Sequence, residues 1–356
     1  MNKQKITDQA LPFLIAWEVT RTCNLNCQHC RAGAQDKTYP NELTTEQCYR
    51  LLDNIASFAG PIIILTGGEP MLRGDIYEIA RYGSNLGLRM VMAPCGALIN
   101  DRAVNKMIDA GIQCISISLD GATAKSHDDF RRVPGAFDSA ITATKAAKRN
   151  NLSFQINTTI TKHNIDELPE IMSLAERLGA ITFNPFLLVP TGRGRELADQ
   201  EITPQQYEQT LQWLSEQEGK SKMQLRVTCA PHYQRIIRQN PSKGTQDTKT
   251  NVSGRGPAGC MGGKTFAFIS HTGKVQICGF LDIEAGDVSQ NDFDFKEIWN
   301  NSQFLQRIRN PDNYKGKCGY CDYRRLCGGC RARAYALTGD YLESEPFCIY
   351  QPKQKQ

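Results

Sequence analysis

Long apolar segments are missing from this sequence. The longest strongly apolar run, Pro61 to Leu65, is far too short to cross a bilayer. The first residues, MNKQKITDQALPF, lack the apolar stretch of a signal peptide. There is no low-complexity tract, and the net charge of +5 is too small to indicate nucleic-acid binding. We therefore expect a cytoplasmic protein with neither a membrane nor a nucleic-acid partner.

Cysteine, by contrast, is abundant, with 14 residues in a chain of 356. A cytosolic chain keeps its thiols reduced, which argues against a disulfide framework. Four cysteines stand alone in the sequence and are predicted to be small buried side chains, namely Cys48, Cys95, Cys114 and Cys229. The other ten form an N-terminal trio and a C-terminal set of seven, a grouping typical of metal ligands.

Short apolar runs alternate with longer amphipathic stretches from residue 13 to about residue 188. Strands are predicted at 14–20, 62–66, 89–93, 114–119, 154–160 and 182–189, with helices between them. Such βα units in series predict an α/β fold with a parallel sheet, either doubly wound or closed into a partial barrel. Later elements are predicted as a helix at 203–218, a hairpin over 265–278, a helix at 293–309 and only turns from residue 318.

The N-terminal trio follows the first predicted strand as Cys23-Asn-Leu-Asn-Cys27-Gln-His-Cys30. Three thiolates in one loop can hold three irons of a 4Fe-4S cluster and leave the fourth iron open to an exchangeable ligand. The alternative is a zinc site completed by His29, although the spacing is not that of a zinc ribbon.

Followed by Gly67-Gly68-Glu69-Pro70 after the second strand, the trio resembles the motifs of the radical S-adenosylmethionine (SAM) enzymes. The resemblance covers about the first 200 residues and implies a (β/α)6 partial TIM barrel with its site at the carboxyl ends of the strands. It also implies that the cluster binds SAM and cleaves it to a 5′-deoxyadenosyl radical. We expect the barrel at 10–217, a bridging region at 218–256 and a C-terminal domain at 257–352.

The same resemblance implies which residues contact SAM. These candidates are Gly67, Gly68, Glu69, Ser116, Asp120, Arg131 and Asn157. The two glycines and the glutamate segment would bind the methionine moiety, and the serine, aspartate and asparagine would contact ribose or carboxylate. The arginine would pair with the carboxylate. Strand-end capping is the alternative for Ser116 and Asn157, and His29 is expected to pack near adenine.

The C-terminal cysteines resemble the SPASM extension of radical SAM enzymes, which carries auxiliary clusters. Four of them, Cys318, Cys321, Cys327 and Cys348, are expected to ligate one closed 4Fe-4S cluster that carries electrons. The remaining three are Cys260, Cys278 and Cys330. No cysteine lies between Cys229 and Cys260, so a second auxiliary cluster stays open: it would need a non-cysteine ligand, a substrate or an open iron. A double zinc ribbon is the alternative for this domain.

Longer segments narrow the resemblance. Ala16-Trp-Glu-Val-Thr20, Thr228-Cys-Ala-Pro-His-Tyr233 and Gly328-Gly-Cys-Arg-Ala-Arg-Ala-Tyr335 are similar to the heme synthases of the siroheme-dependent pathway. This similarity implies oxidative decarboxylation of two propionates of iron-coproporphyrin III to vinyl groups, with an external electron donor and acceptor. The alternatives are 12,18-didecarboxysiroheme deacetylase, a peptide-modifying SPASM enzyme or a non-catalytic metal protein.

An iron porphyrin with four carboxylates needs cationic partners. The arginine candidates are Arg193, Arg195, Arg255, Arg331 and Arg333, and the histidine candidates for an axial iron ligand or a carboxylate partner are His232 and His271. A solvated or purely structural side chain is the alternative for each of them.

Overall fold

The structure is a computed structural model that describes residues 10–240 and 259–353. Its strands are β1 (Leu14–Thr20), β2 (Ile62–Gly67), β3 (Arg89–Met92), β4 (Ile112–Ser118), β5 (Ser153–Ile160), β6 (Thr182–Leu187), β7 (Gln224–Leu225), β8 (Phe266–Ile269), β9 (Lys274–Gln276) and β10 (Gly286–Asp287). Its helices are α1 (Thr45–Phe58), α2 (Ile76–Asn85), α3 (Asp101–Asp109), α4 (Ala124–Arg131), α5 (Ala136–Arg149), α6 (Leu168–Leu178), α7 (Pro204–Gln217), α8 (His232–Gln239), α9 (Phe295–Asn301), α10 (Gln303–Arg309), α11 (Gly316–Tyr320) and α12 (Arg331–Thr338).

All the strands belong to one sheet, in the order β10-β9-β8-β1-β2-β3-β4-β5-β6-β7. Neighbours from β8 to β7 are parallel, whereas β9 is antiparallel to both of its neighbours, β8 and β10. The sheet does not close on itself, because β10 and β7 lie at opposite edges. The predicted partial barrel of parallel strands is therefore confirmed.

The C-terminal hairpin extends the barrel sheet rather than forming a sheet of its own. β8 pairs with β1 in parallel, from Leu14 opposite Phe266 to Trp17 opposite Ile269. The carboxyl ends of both strands therefore meet at the edge where the N-terminal cysteine loop begins. This pairing brings the C-terminal cysteines next to the barrel.

Strand β5 illustrates how the sequence distributes its side chains between the two faces of the sheet. Phe154, Ile156 and Ile160 are buried, while the alternate residues Gln155 and Asn157 stay half-exposed. Because neighbouring residues of a strand point to opposite faces, the apolar set packs under the helices and the polar set lines the barrel interior. The interior of the barrel is thus polar along this strand.

Helix boundaries follow local signals in the sequence. α1 begins with a capping box, in which Thr44 accepts from the main chain of Gln47 and the Gln47 side chain accepts in return. α6 ends at Gly179, whose φ of 96° is left-handed and therefore favours glycine. None of the helices in the described ranges is long and apolar enough to span a membrane.

Two predictions for the C-terminal region are wrong. The helix predicted at 293–309 is two helices, separated at Ser302, whose backbone is extended with φ −57° and ψ 120°. A helix, α12, lies where only turns were predicted after Cys318. The sequence of α12 carries no apolar stripe, because Arg331 and Arg333 are themselves buried, and helical periodicity is therefore hidden.

Candidate functional site

The N-terminal cysteine trio lies in the loop after β1, at the carboxyl edge of the sheet. Cys23 and Cys27 are buried, and Cys30 is half-buried. Burial raises the pKa of Cys23 to about 12, and burial raises the pKa of Cys27 as well. These thiols therefore keep their protons until a metal ion displaces them.

The loop after β6 holds the cysteine loop in place. Arg193 donates from Nε to the carbonyl of Cys27 at 2.9 Å and from Nη1 to the carbonyl of Ala34 at 2.6 Å. Its main-chain N–H donates to the carbonyl of Cys30 at 3.0 Å. Nε and Nη1 of Arg193 are thus committed to the main chain of the cysteine loop, while the buried Nη2 has no hydrogen-bond partner among the described residues.

Gly67 and Gly68 allow the end of β2 to pack directly on the start of the cysteine loop. A Cβ on either glycine would clash with the carbonyl oxygen of Thr20 or Thr22. The N–H of Gly68 donates to Thr20 at 2.9 Å, and that of Glu69 donates to Thr22 at 2.8 Å. The described contacts thus explain both glycines by close backbone approach, whether or not a cofactor lies beside them.

The Glu69 carboxylate is fully buried and serves its own loop. It accepts from the N–H of Met71 at 2.9 Å and from the N–H of Cys95 at 2.6 Å. Burial raises the pKa of Glu69. Any amino group bound by this segment would therefore have to be held by its main chain.

Asp120 and Arg131 form a buried ion pair beneath the cysteine loop. Both Nε and Nη2 of Arg131 donate to Oδ2 of Asp120, at 2.8 and 2.7 Å, and Nη1 lies 3.8 Å from Sγ of Cys27. Burial would raise the pKa of Asp120, but Arg131 outweighs burial and holds the pKa at about 2. In this structure the carboxylate partner of Arg131 is Asp120.

A row of polar side chains crosses the barrel interior from β5 to the segment after β7. Asn157 accepts from Gln155 at 3.1 Å and from Asn184 at 3.2 Å, and Thr228 donates to Asn184 at 2.6 Å. Ser116 lies on the neighbouring strand β4. These groups could bind hydroxyl or carboxylate oxygens.

His29 packs in this region without joining the polar row. Its ring stacks on Phe130, with 4.5 Å between centroids, and Nε2 lies 3.7 Å from Oδ2 of Asp120. Burial lowers the pKa of His29 to about 4, so the ring is neutral.

The expected auxiliary set lines one cavity in the C-terminal region. Its cysteines are Cys318, Cys321, Cys327 and Cys348. Main-chain N–H groups lie 3.4 Å from three of the sulfurs, from Glu345 to Cys318, from Tyr323 to Cys321 and from Gly329 to Cys327. Sulfurs that face one cavity and accept N–H bonds are the donor set that an iron–sulfur cluster needs.

The other C-terminal cysteines are joined by a residue that the sequence interpretation left out. The carbonyl of Cys229 accepts from Arg333 in the first turn of α12, the helix that follows Cys330, so Cys229 lies beside the start of that helix. Burial raises the pKa of Cys229 well above its ordinary value, and the thiols of Cys330, Cys278 and Cys260 raise it further. The main chain of Cys229 is left-handed, with φ 60°, a rare conformation for a residue with a Cβ. The prediction that Cys229 stands alone is therefore wrong. Cys229 is 31 residues from Cys260, a separation too long to be recognised as part of a cysteine motif.

Several basic candidates for substrate binding are buried parts of the scaffold. Arg333 is fully buried and donates from Nη1 to the carbonyl of Cys229 at 3.1 Å and from Nη2 to the carbonyl of Leu188 at 2.8 Å. His232 forms a buried ion pair with Glu345, with 2.5 Å between Nε2 and Oε2. Burial lowers the pKa of His232, but Glu345 and Cys348 outweigh it and raise the pKa to about 9.

Arg331 is buried as well, and its Nη1 donates to the carbonyl of Glu343 at 2.8 Å while Nη2 lies 3.6 Å from Sγ of Cys318. The side chains of Arg331, Arg333 and His232 are thus all buried and paired within the protein. Arg195 is exposed, and Arg255 lies outside the described residues.

The donor chemistry of the three cysteine sets fits iron–sulfur clusters. Within residues 10–240 and 259–353, no three His, Cys, Asp or Glu side chains are grouped so as to share a single metal ion. A cluster makes a different demand, because each thiolate binds its own iron. Thiols that line one cavity and face main-chain N–H donors, as those of Cys318, Cys321 and Cys327 do, meet this demand.

Comparison with known proteins agrees with this geometry. Residues 17–175 match the model of the radical SAM superfamily, and residues 260–330 match that of the SPASM iron–sulfur cluster-binding domain. The crystal structure of Streptococcus suis SuiB bound to S-adenosylmethionine shares the fold, with a TM-score of 0.72 at 16% identity over 96% of this chain and 76% of that one. Fold and site thus define a radical SAM enzyme with a SPASM domain, whose cofactors are SAM, a 4Fe-4S cluster and auxiliary iron–sulfur clusters.

Two curated relatives extend over the whole chain. The AdoMet-dependent heme synthase of Methanosarcina barkeri is 47% identical over 97% of this chain and 98% of that protein. That of Oleidesulfovibrio alaskensis is 45% identical over 100% of this chain and 92% of that protein. The chain belongs to the family of the AdoMet-dependent heme synthases.

Proposed function

We propose that this enzyme converts iron-coproporphyrin III to heme by oxidative decarboxylation of two propionates to vinyl groups. The observation that carries this proposal is the 47% identity to a heme synthase over 97% of the chain. The residue after Cys278 is Gly279, so no acidic side chain stands at this position at the end of the C-terminal hairpin.

Three groups of residues would hold the cofactors. Cys23, Cys27 and Cys30 would ligate the cluster that binds SAM, and the polar ends of β4 and β5 would face the nucleoside. Bound there, SAM supplies a 5′-deoxyadenosyl radical that removes a hydrogen atom from the substrate. Arg193 and the Asp120–Arg131 pair hold the cysteine loop in one conformation, and the barrel interior keeps the reacting groups apart from bulk water.

The closed set of four cysteines, from Cys318 to Cys348, would hold an auxiliary cluster. Loss of a hydrogen atom and carbon dioxide from a propionate leaves one surplus electron, and a cluster with no open iron supplies a one-electron carrier. An external donor and an external acceptor complete the electron balance.

We infer a second auxiliary cluster site at Cys229, Cys260, Cys278 and Cys330. The left-handed conformation of Cys229 costs free energy and is imposed by contacts with its carbonyl, which accepts from Arg333 at 3.1 Å and from the hydroxyl of Tyr207 at 3.2 Å. Those contacts hold the main chain of Cys229 beside α12, the helix that follows Cys330, and so support Cys229 as a ligand of the same cluster.

Substitution of Cys229 tests this cluster site. For Cys229→Ala we expect fewer iron atoms per chain, falling from about twelve toward about eight, or a changed Mössbauer spectrum. The matched control is Cys114→Ala, since Cys114 is a buried cysteine within β4 whose thiol contacts the carbonyl of Ile115. Identical iron content and spectra for wild type and Cys229→Ala would contradict the assignment.

Product analysis tests the function itself. Anaerobically reconstituted protein is incubated with reductant, SAM and iron-coproporphyrin III, and the porphyrins are separated by liquid chromatography with mass detection. We expect monovinyl and divinyl products, with heme as the end point. A reaction that yields only deoxyadenosine, or that acts instead on 12,18-didecarboxysiroheme or on a peptide, would contradict the proposal.

A further inference from the structure

Arg31, the residue after the third cysteine of the N-terminal trio, places its guanidinium where the barrel meets the C-terminal hairpin. Its Nη2 lies 2.9 Å from Oε2 of Glu18, at the end of β1. Its Cζ lies 4.5 Å from the ring centroid of Phe268, in β8. The guanidinium is therefore held between the two parallel strands, beside the cysteine loop.

The Glu18 carboxylate is fully buried and carries more than one basic partner. Its Oε1 accepts from Nε of Arg21 at 2.9 Å and from Nδ1 of His271 at 2.8 Å. One carboxylate thus faces two guanidinium groups and an imidazole. Glu42, which also contacts Arg21, accepts from the main-chain N–H of that residue at 2.9 Å and not from its guanidinium.

Arg31 has hydrogen-bonding capacity left over. The hydrogen bond to Glu18 uses Nη2, whereas Nε and Nη1 have no hydrogen-bond partner among the described residues. The side chain of Arg31 retains 19% exposure, whereas that of Glu18 has none. An open guanidinium edge held by a buried carboxylate is a preorganised binding group for an anion, because its orientation is fixed before the ligand arrives.

Gly279 provides the space that Arg31 occupies. A Cβ at this position would lie 2.8 Å from Cδ and 3.0 Å from Nε of Arg31. Any larger residue after Cys278 would displace the guanidinium. The position of the Arg31 guanidinium therefore depends on the absence of a side chain at residue 279.

The surface below the guanidinium is apolar. Ala16 of β1 lies opposite Ile64 of β2 and Phe268 of β8, so three apolar side chains form a continuous strip on one face of the sheet. Ala16 and Ile64 are half-exposed. A flat apolar ring could lie against this strip with a carboxylate at the guanidinium.

We propose that Arg31 binds a propionate carboxylate of the tetrapyrrole substrate, with Glu18 and His271 as positioning residues and Gly279 as the space for the guanidinium. The proposal rests on the proposed function for the identity of its ligand. The remaining carboxylates bind elsewhere.

Binding of a charged and an uncharged porphyrin tests this assignment. The dissociation constants of iron-coproporphyrin III and of its tetramethyl ester are measured by Soret titration on preparations with equal iron content. For Arg31→Gln we expect the constant for the free acid to rise at least roughly tenfold, while that for the ester stays within about twofold. Arg31→Lys should recover part of the loss, since it keeps the charge without the planar fork.

The matched control is Arg102→Gln, an exposed arginine of α3 on the outside of the barrel, for which both constants should match wild type. If Arg31→Gln fails to load its clusters, Gly279→Ala displaces the guanidinium without removing it and should weaken binding of the acid alone. Unchanged binding of the acid, or an equal loss for acid and ester, would overturn the inference. Wild-type protein that binds neither porphyrin would instead contradict the proposed function.

Discussion

Arg333 joins the barrel to the C-terminal region through buried hydrogen bonds. Its guanidinium reaches the carbonyls of Leu188 and Cys229, and Nη1 lies 3.3 Å from Oε1 of Glu345. A buried charge of this kind stabilises the fold only while all its partners are in place. The residue therefore holds the main chain of Cys229 in place.

Replacement of Arg333 by methionine should lower stability strongly. Removing one partner of a buried pair costs about 3 kcal/mol, because Glu345 keeps its charge while three carbonyls, those of Leu187, Leu188 and Cys229, lose a donor. We expect a clear fall in the midpoint of thermal unfolding, followed by circular dichroism. Arg195→Met, on an exposed side chain, serves as control. A variant as stable as wild type but impaired in porphyrin binding would restore the substrate role.

Glu18 is the second residue whose removal is informative. Glu18→Gln leaves Arg31 and His271 without their buried anion, so we expect a loss of about 2 kcal/mol in unfolding free energy. Urea unfolding of the cluster-free protein measures it, with the exposed Glu196→Gln as control. If Glu18→Gln and Glu196→Gln unfolded at the same urea concentration, the ion pairs and hydrogen bonds of Glu18 would contribute nothing to the free energy of unfolding.

The sequence was enough to predict which residue types carry the chemistry, but not which residues surround each of them in the fold. The cysteine trio and Gly67-Gly68 could be recognised because their spacing is local. Cys229 could not, because its main chain is held by Arg333, more than 100 positions further along. The burial of Arg331 and Arg333 could not be predicted for a related reason: a charged side chain is expected at the surface, and the buried acceptors that explain the exception come from distant parts of the chain.

Among the elements, β8 has the largest structural consequence. It is a central strand, paired with β1 on one side and β9 on the other, so the barrel sheet and the C-terminal hairpin are continuous. The βα units of the barrel were predictable from their apolar runs. The parallel pairing of β8 with β1 was not, because nothing local in a hairpin sequence specifies a partner some 250 residues away.

Proline at Ala267 tests this continuity. It would remove a ladder hydrogen bond in the middle of β8. We expect Ala267→Pro to lose both auxiliary iron and deoxyadenosine formation. Gln303→Pro is the control, since Gln303 is the first residue of α10, a position that tolerates proline. A variant that lost auxiliary iron but still cleaved SAM at the wild-type rate would mean that the barrel folds independently of the hairpin.

The whole molecule contains three sets of cysteines. One is the N-terminal trio in the loop after β1, and the other two are the sets proposed to hold the auxiliary clusters. Replacing Cys23, Cys27 and Cys30 together by alanine should abolish deoxyadenosine formation but leave about eight of about twelve iron atoms. Iron analysis and product chromatography measure the two outcomes on the same sample. Loss of all iron would show that the auxiliary sites depend on the N-terminal loop.

The central claim is that a radical derived from SAM takes hydrogen from a substrate propionate. Iron-coproporphyrin III deuterated at the propionate β-carbons tests it most directly, with mass analysis of the 5′-deoxyadenosine formed. We expect one molecule of singly deuterated 5′-deoxyadenosine for each vinyl group produced. Heme formed alongside unlabelled deoxyadenosine would contradict it.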